Sequence, residues 1–428
     1  MRNPLLKATT FRKLFVSILL GWMVGLHSLN AATWEIVTAN GRQYIPLRCL
    51  RDFYGLSSIA SDEPNQVRLR GNKGILDFRA GTRECAINGV RIWLSFPALR
   101  TEKGWLISRM DVAKTIEPAM RPAIIKGLEN VVTVVLDAGH GGHDGGAVSR
   151  YGYEKTFALD IARRVKNNLV DGGYRVVMTR NSDIFLPLHE RPAVANGKPN
   201  SIFVSIHFNA SQRGDSASGI EVFSMAPRGA PSTNDNYITW ASLHESPGHE
   251  LDMASFALGR AVHTALMGRL QLIDRGLKRA RFAVIRTARV PAILVECGFL
   301  TNSAEARMIA TDSHRDAIAG SIAEGINDYK LLATLNKIPK TLADYNRAID
   351  TTITLREDHE AGIYNEMEGL SASGLAPLKT PHSQISQLSP LPLQTPLMPS
   401  LLPYTTDQFP FRVPAQDSAE FNFSRPKN

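Results

Sequence analysis

Between Asn130 and Ala333, short apolar runs alternate with amphipathic stretches, and this alternation limits the fold more than any other feature of the chain. VVTVVLDAG (131–139), SIFVSIHFNA (201–210) and AILVECGFL (292–300) carry apolar residues at consecutive positions rather than alternate ones. Such a strand must be buried on both faces, which a parallel sheet covered by helices provides. Between them, TFALDIARRVKNNLVDGG spaces Phe157, Ile161, Val165 and Leu169 as one helical face and stops at Gly172-Gly173. A long helix is expected over 252–270, and a closing helix from Asp312-Ser313 places Ile318, Ile322 and Ile326 together. IEVFSM (220–225) reads as an edge-like strand. The expectation over 130–333 is an α/β domain, a mainly parallel sheet with helices on both faces.

The flanking segments differ. Residues 1–32 join a basic start (Arg2, Lys7, Arg12, Lys13) to LFVSILLGWMVGL and the small residues of LNAA, the order of a cleaved signal peptide. No later run approaches the ~18 apolar residues of a membrane helix. An exported chain, periplasmic or extracellular and without a transmembrane segment once cleaved, is therefore expected. Residues 33–122 form a small β-rich α+β unit, with Asn40-Gly41 and Asn88-Gly89 as type I′ hairpin turns. Within it GRQYIPLRCLRDFYG (41–55) is echoed by KGWLISRMDVAKTI (103–116), each a strand passing into a short helix. This echo is similar to the duplicated pattern of the copper amine oxidase N-terminal-like domain, which implies a non-catalytic accessory module with no copper site. Residues 334–428 read as a linker and a disordered tail: from Pro377 onward there are ten of the protein's 24 prolines and only seven charges. Cys49 and Cys85 could pair after export or stay as two buried thiols, while Cys297 stands far from both. The net charge of +9 favours an anionic partner, and no run of basic residues interleaved with aromatics points to nucleic acid.

Three apolar strands end in residues that bind metal or move protons: His140, His207 and Glu296. In open α/β sheets, sites form beyond the carboxyl ends of strands. The glycine run DAGHGGHDGG (137–146) fails as a dinucleotide fingerprint because Asp144 stands where the third glycine is needed. It fails as a Walker A loop because Gly145-Gly146-Ala147 replaces Gly-Lys-Ser/Thr. What remains is a loop whose glycines let backbone approach a site while His140 points into it. Glu154 opens the first helix, where the macrodipole alone could account for an acid. Two histidines and one carboxylate would make a three-ligand zinc set with the fourth position open to water, leaving Glu296 as general base. His143 is an alternative ligand in the loop. Asn209 could orient substrate or His207, or simply end its strand. Cys297, next to Glu296, points to the opposite face. Residues 227–250 interrupt the pattern as a Pro-containing insert in which His244, Glu245, His249 or Glu250 could reach the metal, or which is a solvated loop.

DAGHGGHDGGA, YGYEKTFALDIA, LPLHERPAVAN, SIHFNA, RGLKRARFAVIR and VPAILVECGFLTN together resemble the zinc-dependent N-acetylmuramoyl-L-alanine amidases of the type 3 family, over 131–331 and in the family's order. The resemblance implies Zn2+ held by His140, Glu154 and His207, with Glu296 as the catalytic glutamate. It implies hydrolysis, in peptidoglycan, of the amide joining N-acetylmuramic acid to L-alanine, for wall remodelling or daughter-cell separation. An activator protein or a wall-anchoring partner would be compatible with it. The rival readings are a non-catalytic wall-binding or regulatory homologue and a zinc peptidase cutting within the stem peptide.

Overall fold

The computed structural model describes residues 34–59, 63, 65–125, 131–212, 214–235 and 237–335. The signal-peptide segment and the Pro-rich tail lie outside the described residues. At the amino end come β1 (Val37–Ala39), β2 (Arg42–Pro46), α1 (Leu47–Tyr54), β3 (Ser57–Ile59), β4 (Gln66–Gly71), β5 (Gly74–Arg79), β6 (Glu84–Ile87), β7 (Val90–Trp93), β8 (Leu99–Thr101) and β9 (Gly104–Ser108), then a helical run from Arg109 to Met120. Both Asn-Gly turns form with positive φ at each residue (50° and 70°; 55° and 82°), joining β1 to β2 and β6 to β7. The echoed segments are β2–α1 and β9 with its helix, and their strands pair antiparallel, Ile45 opposite Ile107.

The second stretch holds β10 (Thr133–Ala138), β11 (Val148–Ser149), β12 (Gly152–Tyr153), α2 (Glu154–Asp171), β13 (Arg175–Met178), α3 (Glu190–Asn196), β14 (Ser201–Asn209), β15 (Ile220–Met225), α4 (Asp252–Arg269), β16 (Asp274–Ala280), β17 (Ala292–Phe299), α5 (Ser303–Ile309) and α6 (Asp312–Leu335). The sheet runs β13-β10-β14-β17-β15-β16-β7-β6-β5-β4-β3. From β13 to β16 every pairing is parallel except β15 with β17, so these strands form the expected mainly parallel sheet. Apolar side chains of α2, α4 and α6 pack on one face in a single core that includes Val134, Ile206, Val295 and Cys297. On the other face, Val135, Phe203, Phe223 and Leu294 pack with Ala195 of α3 and with Val284 and Ile285 of a short helical turn. Among the described residues all three cysteines are free, and Cys297 lies buried under the helices.

Two features differ from the sequence reading. The IEVFSM strand is interior, between β17 and β16, and all six residues are buried. Its polar positions are satisfied within the sheet: Glu221 pairs with Lys278 and Arg275, and Ser224 accepts from Arg279. The amino-terminal strands also continue this sheet, with β7 parallel to β16. Around that seam, Arg91 N donates to Asp274 at 3.2 Å and Trp93 Nε1 donates to Arg275 O at 2.9 Å. Periodicity within a strand carries no information about a neighbour 180 residues away.

The α4–α6 crossing depends on Gly325, where a Cβ would lie 2.4 Å from Val262 Cα. Gly325→Ala is therefore expected to destabilise by about 1–3 kcal/mol in urea melts, because backbone must move. Helix propensity alone would stabilise the variant by up to ~1 kcal/mol, so the sign of the change decides the matter.

Candidate active site

The candidate residues converge on the less covered face, at the carboxyl ends of β10, β14 and β17. His207 and Glu296 are direct partners across the β14–β17 ladder, and period-2 geometry puts both side chains on one face. His140 follows β10 with φ at +58°, an uncommon left-handed conformation for a residue with a Cβ. Glu154, buried at 3%, opens α2 behind the glycine loop. Its Oε1 lies 3.0 Å from His140 Nε2 and 2.9 Å from His207 Nδ1, while Oε2 accepts from Ala147 N at 2.7 Å. Ligand atoms from His140, Glu154 and His207 lie within 4.8 Å of one another. A tetrahedral divalent ion with bonds of about 2.0–2.2 Å sets its ligands roughly 3.3 Å apart, so two nitrogens and an oxygen at these separations fit such an ion.

The electrostatics agree. Burial works against a charged His140, yet hydrogen bonds to Asp144 and Glu154 outweigh it and hold the imidazole pKa up at about 10. Burial also disfavours the Glu154 carboxylate, but the two histidines hold it below the usual carboxylate range. A carboxylate that holds the His140 imidazole in its charged form would draw a divalent cation by the same attraction. Glu296 behaves oppositely: burial, then the charges of Glu154 and Glu221, push its carboxyl well above the usual range. Its Oε2 is enclosed and has no hydrogen-bond partner among the described residues, as befits an acid held ready for a reacting group.

The glycines make the cradle physically achievable. A Cβ on Gly139 would fall 2.4 Å from His207 Cε1, and one on Gly146 would fall 2.5 Å from Glu154 Oε2 and 2.6 Å from His140 Cδ2. Gly146 also has φ at +66°. Gly146→Ala is expected to weaken metal binding by at least about tenfold, as losses of supporting structure around a metal site do. Competition with a chelator measures this, and unchanged affinity would show that the cradle can open.

Several supporting residues were invisible in the sequence reading. Asp144 Oδ2 accepts from His140 Nδ1 at 2.8 Å, which turns Nε2 toward the cradle. Asp137, fully buried, accepts from Thr179, Ser205 and Arg191 at 2.6, 2.7 and 3.0 Å. Arg191 also donates to the carbonyls of Ala138 and His140, and Arg180 to those of Ala138, Gly139 and Lys155. The available signals were an aspartate inside the glycine run, the arginine of LPLHERPAVAN, and the arginine closing YRVVMTR.

The remaining candidates separate from the cluster. His143 packs on Phe185, ring centroids 4.3 Å apart. Asn209 Oδ1 accepts from Ala210 N, a strand-end role. The 227–250 insert leaves the far end of β15, since Glu221 lies beside Glu296 and Ser224 already beside Ile293. There Glu245 pairs with Arg228, His244 stacks on Trp240, and His249 accepts from Ser246 N.

A family model described as N-acetylmuramoyl-L-alanine amidase matches residues 134–328. The amidase AmiC of Neisseria meningitidis serogroup B is 38% identical over 218 residues, 46% of this chain and 52% of that protein. The amidase AmiA of Escherichia coli K12 is 31% identical over 245 residues, 52% of this chain and 84% of that protein. The chain thus spans about half the length of the Neisseria relative and most of the other. An N-acetylmuramoyl-L-alanine amidase structure from Clostridium difficile 630 is 32% identical, covers 47% of this chain and 97% of its own, and has a TM-score of 0.39. Because the Escherichia coli relative is 31% identical and matched over 84% of its length, the chain belongs to the N-acetylmuramoyl-L-alanine amidase family.

Proposed function

We propose that the protein is an exported zinc amidase that hydrolyses the amide between N-acetylmuramic acid and the L-alanine of the stem peptide in peptidoglycan. The observation that carries this is a two-histidine, one-carboxylate cradle next to the Glu296 carboxyl group, whose Oε2 has no hydrogen-bond partner among the described residues. Zinc held by His140, Glu154 and His207 would polarise the scissile carbonyl and acidify water, the two deficits of amide hydrolysis at neutral pH.

The chain's own groups do the rest. Glu296 takes a proton from the attacking water and hands it to the departing amide nitrogen. Asp144 fixes the His140 ring, and Ala147 N holds one Glu154 oxygen so that the other faces the cradle. Arg180 and Arg191 hold the 138–140 carbonyls by hydrogen bonds and so fix the backbone that carries His140. The signal-like segment 1–32 supports a periplasmic or extracellular location, and no helix among the described residues is long and apolar enough to cross a membrane. Residues 33–122 are read as the accessory part, 130–333 as the catalytic part, and 334–428 as linker and tail.

Digestion of purified peptidoglycan followed by mass spectrometry tests the reading. The expected products are intact stem peptides with a free L-alanine amine, at one equivalent of bound zinc. Fragments cut within the stem would indicate a peptidase. A zinc-loaded protein that releases nothing would be a non-catalytic wall binder.

A further inference from the structure

Beside Glu296, the sheet carries a row of charges that the hydrolysis itself does not use. Glu221 is the direct cross-strand neighbour of Glu296, and its carboxylate is shared between Lys278, at 2.9 Å, and Arg275. Glu221 thus faces two cations, and the Glu305 carboxylate also lies near enough to Arg275 to feel its charge. Lys278 is enclosed, its side chain 8% exposed, so it is taken up by Glu221, whereas the Arg275 side chain is 34% exposed. The Arg275 guanidinium rests over the Phe299 ring, 4.9 Å from its centroid, and its Nη1 lies 3.4 Å from Ser218 O. Its backbone is fixed from the amino-terminal strands, because Trp93 donates to Arg275 O and the Trp93 ring closes against Gly276.

We infer that Arg275 forms a carboxylate-binding subsite for the stem peptide; this rests on the amidase reading above. The direction follows from the chemistry. If Glu296 protonates the departing amine, that amine lies on the Glu296 side of the cradle, and the peptide continues from there toward β15 and β16. The guanidinium comes from β16, the second strand from β17, and reaches back to Glu221, whose strand lies one spacing, ~4.8 Å, from that of Glu296. An extended peptide advances ~3.3–3.6 Å per residue, so one to two residues cover that distance. The second stem residue is a glutamate joined through its side chain, and it presents a free α-carboxylate at that point unless it is amidated. A planar guanidinium backed by an aromatic ring suits a carboxylate better than a carboxamide, since the carboxylate can accept two parallel charge-assisted bonds.

Two muramyl tripeptides that differ only in a free or amidated α-carboxyl at the second residue provide the test. Wild type is expected to prefer the free acid by roughly tenfold or more in kcat/KM, expressed in KM. Arg275→Ala should bring that ratio to about one, and Arg275→Lys should keep part of it. A ratio unchanged in Arg275→Ala, or an equal loss for both peptides, would overturn the subsite and leave Arg275 as a prop for Glu221. Calorimetric binding of the same pair to zinc-loaded Glu296→Gln protein separates the two readings. If wild type cleaves neither peptide but Glu296→Gln prefers the acid, the amidase reading falls and the subsite stands. If wild type cleaves both without preference, the subsite alone falls.

Discussion

Glu296→Gln is expected to fold like the parent protein, keep one equivalent of metal and release stem peptides about 10²–10⁴-fold more slowly. The amide has the shape of the carboxyl group but can neither take the water proton nor deliver it to the amine. Glu296 contributes no ligand atom to the His140–Glu154–His207 cluster, so metal content should hold. Its enclosed Oε2 has no partner to lose among the described residues, and burial, Glu154 and Glu221 already disfavour a charge there. Thermal melts should therefore show no loss of stability, the pattern of a residue kept for chemistry at some cost to the fold. Metal analysis, a melting curve and the muropeptide digest together decide it. Activity within tenfold of the parent would remove Glu296 from the acid–base role.

Asp137→Ala is expected to cost about 3–5 kcal/mol of stability, although Asp137 is not one of the His140–Glu154–His207 cluster. Its carboxylate is fully buried, and Arg191, with a side chain 3% exposed, is the cation it balances. Removal leaves that guanidinium uncompensated and takes the acceptor from the Thr179 and Ser205 hydroxyls. Because Arg191 also holds the His140 carbonyl, metal affinity should fall along with stability. Urea unfolding gives the magnitude, and a double-mutant cycle with Arg191→Met isolates the pair. The double variant should be more stable than the sum of the two single losses predicts, since it leaves no buried charge alone. A single-variant loss below about 1 kcal/mol would mean that water reaches the pair.

Much of the site was legible because its chemistry stands at strand ends. An apolar run followed by a histidine or glutamate states both a buried strand and a polar group at its carboxyl edge, as at His140, His207 and Glu296. Glu154 was less legible: an acid in the first turn of a helix has a sufficient local cause, so the residues suggested it as a ligand only weakly before the family resemblance implied it. Its place becomes physical in the fold, where Oε1 meets both histidines. Asp137 and Arg191 could not be paired in advance, since each sits in a segment with its own ordinary explanation, 54 residues apart. β15 was misjudged for a related reason. Glu221 and Ser224 look like solvent-facing positions until the arginines and lysine of β16 stand beside them.

The sequence alone determined what is local and periodic: which runs become strands, which faces of helices are apolar, and that both Asn-Gly pairs make tight hairpins. It also excluded a phosphate cradle at named positions of the glycine loop. Only the tertiary structure decided which strands are neighbours, and so that His207 faces Glu296, that Glu296 faces Glu221, and that β7 extends the sheet at β16. The physical reason is range. Backbone conformation and burial pattern are set by interactions within a few residues, whereas register between distant strands is set by side-chain packing across the sheet. The glycines of DAGHGGHDGG show both at once: their freedom of φ is local, but the atoms a Cβ would strike belong to His207 and Glu154.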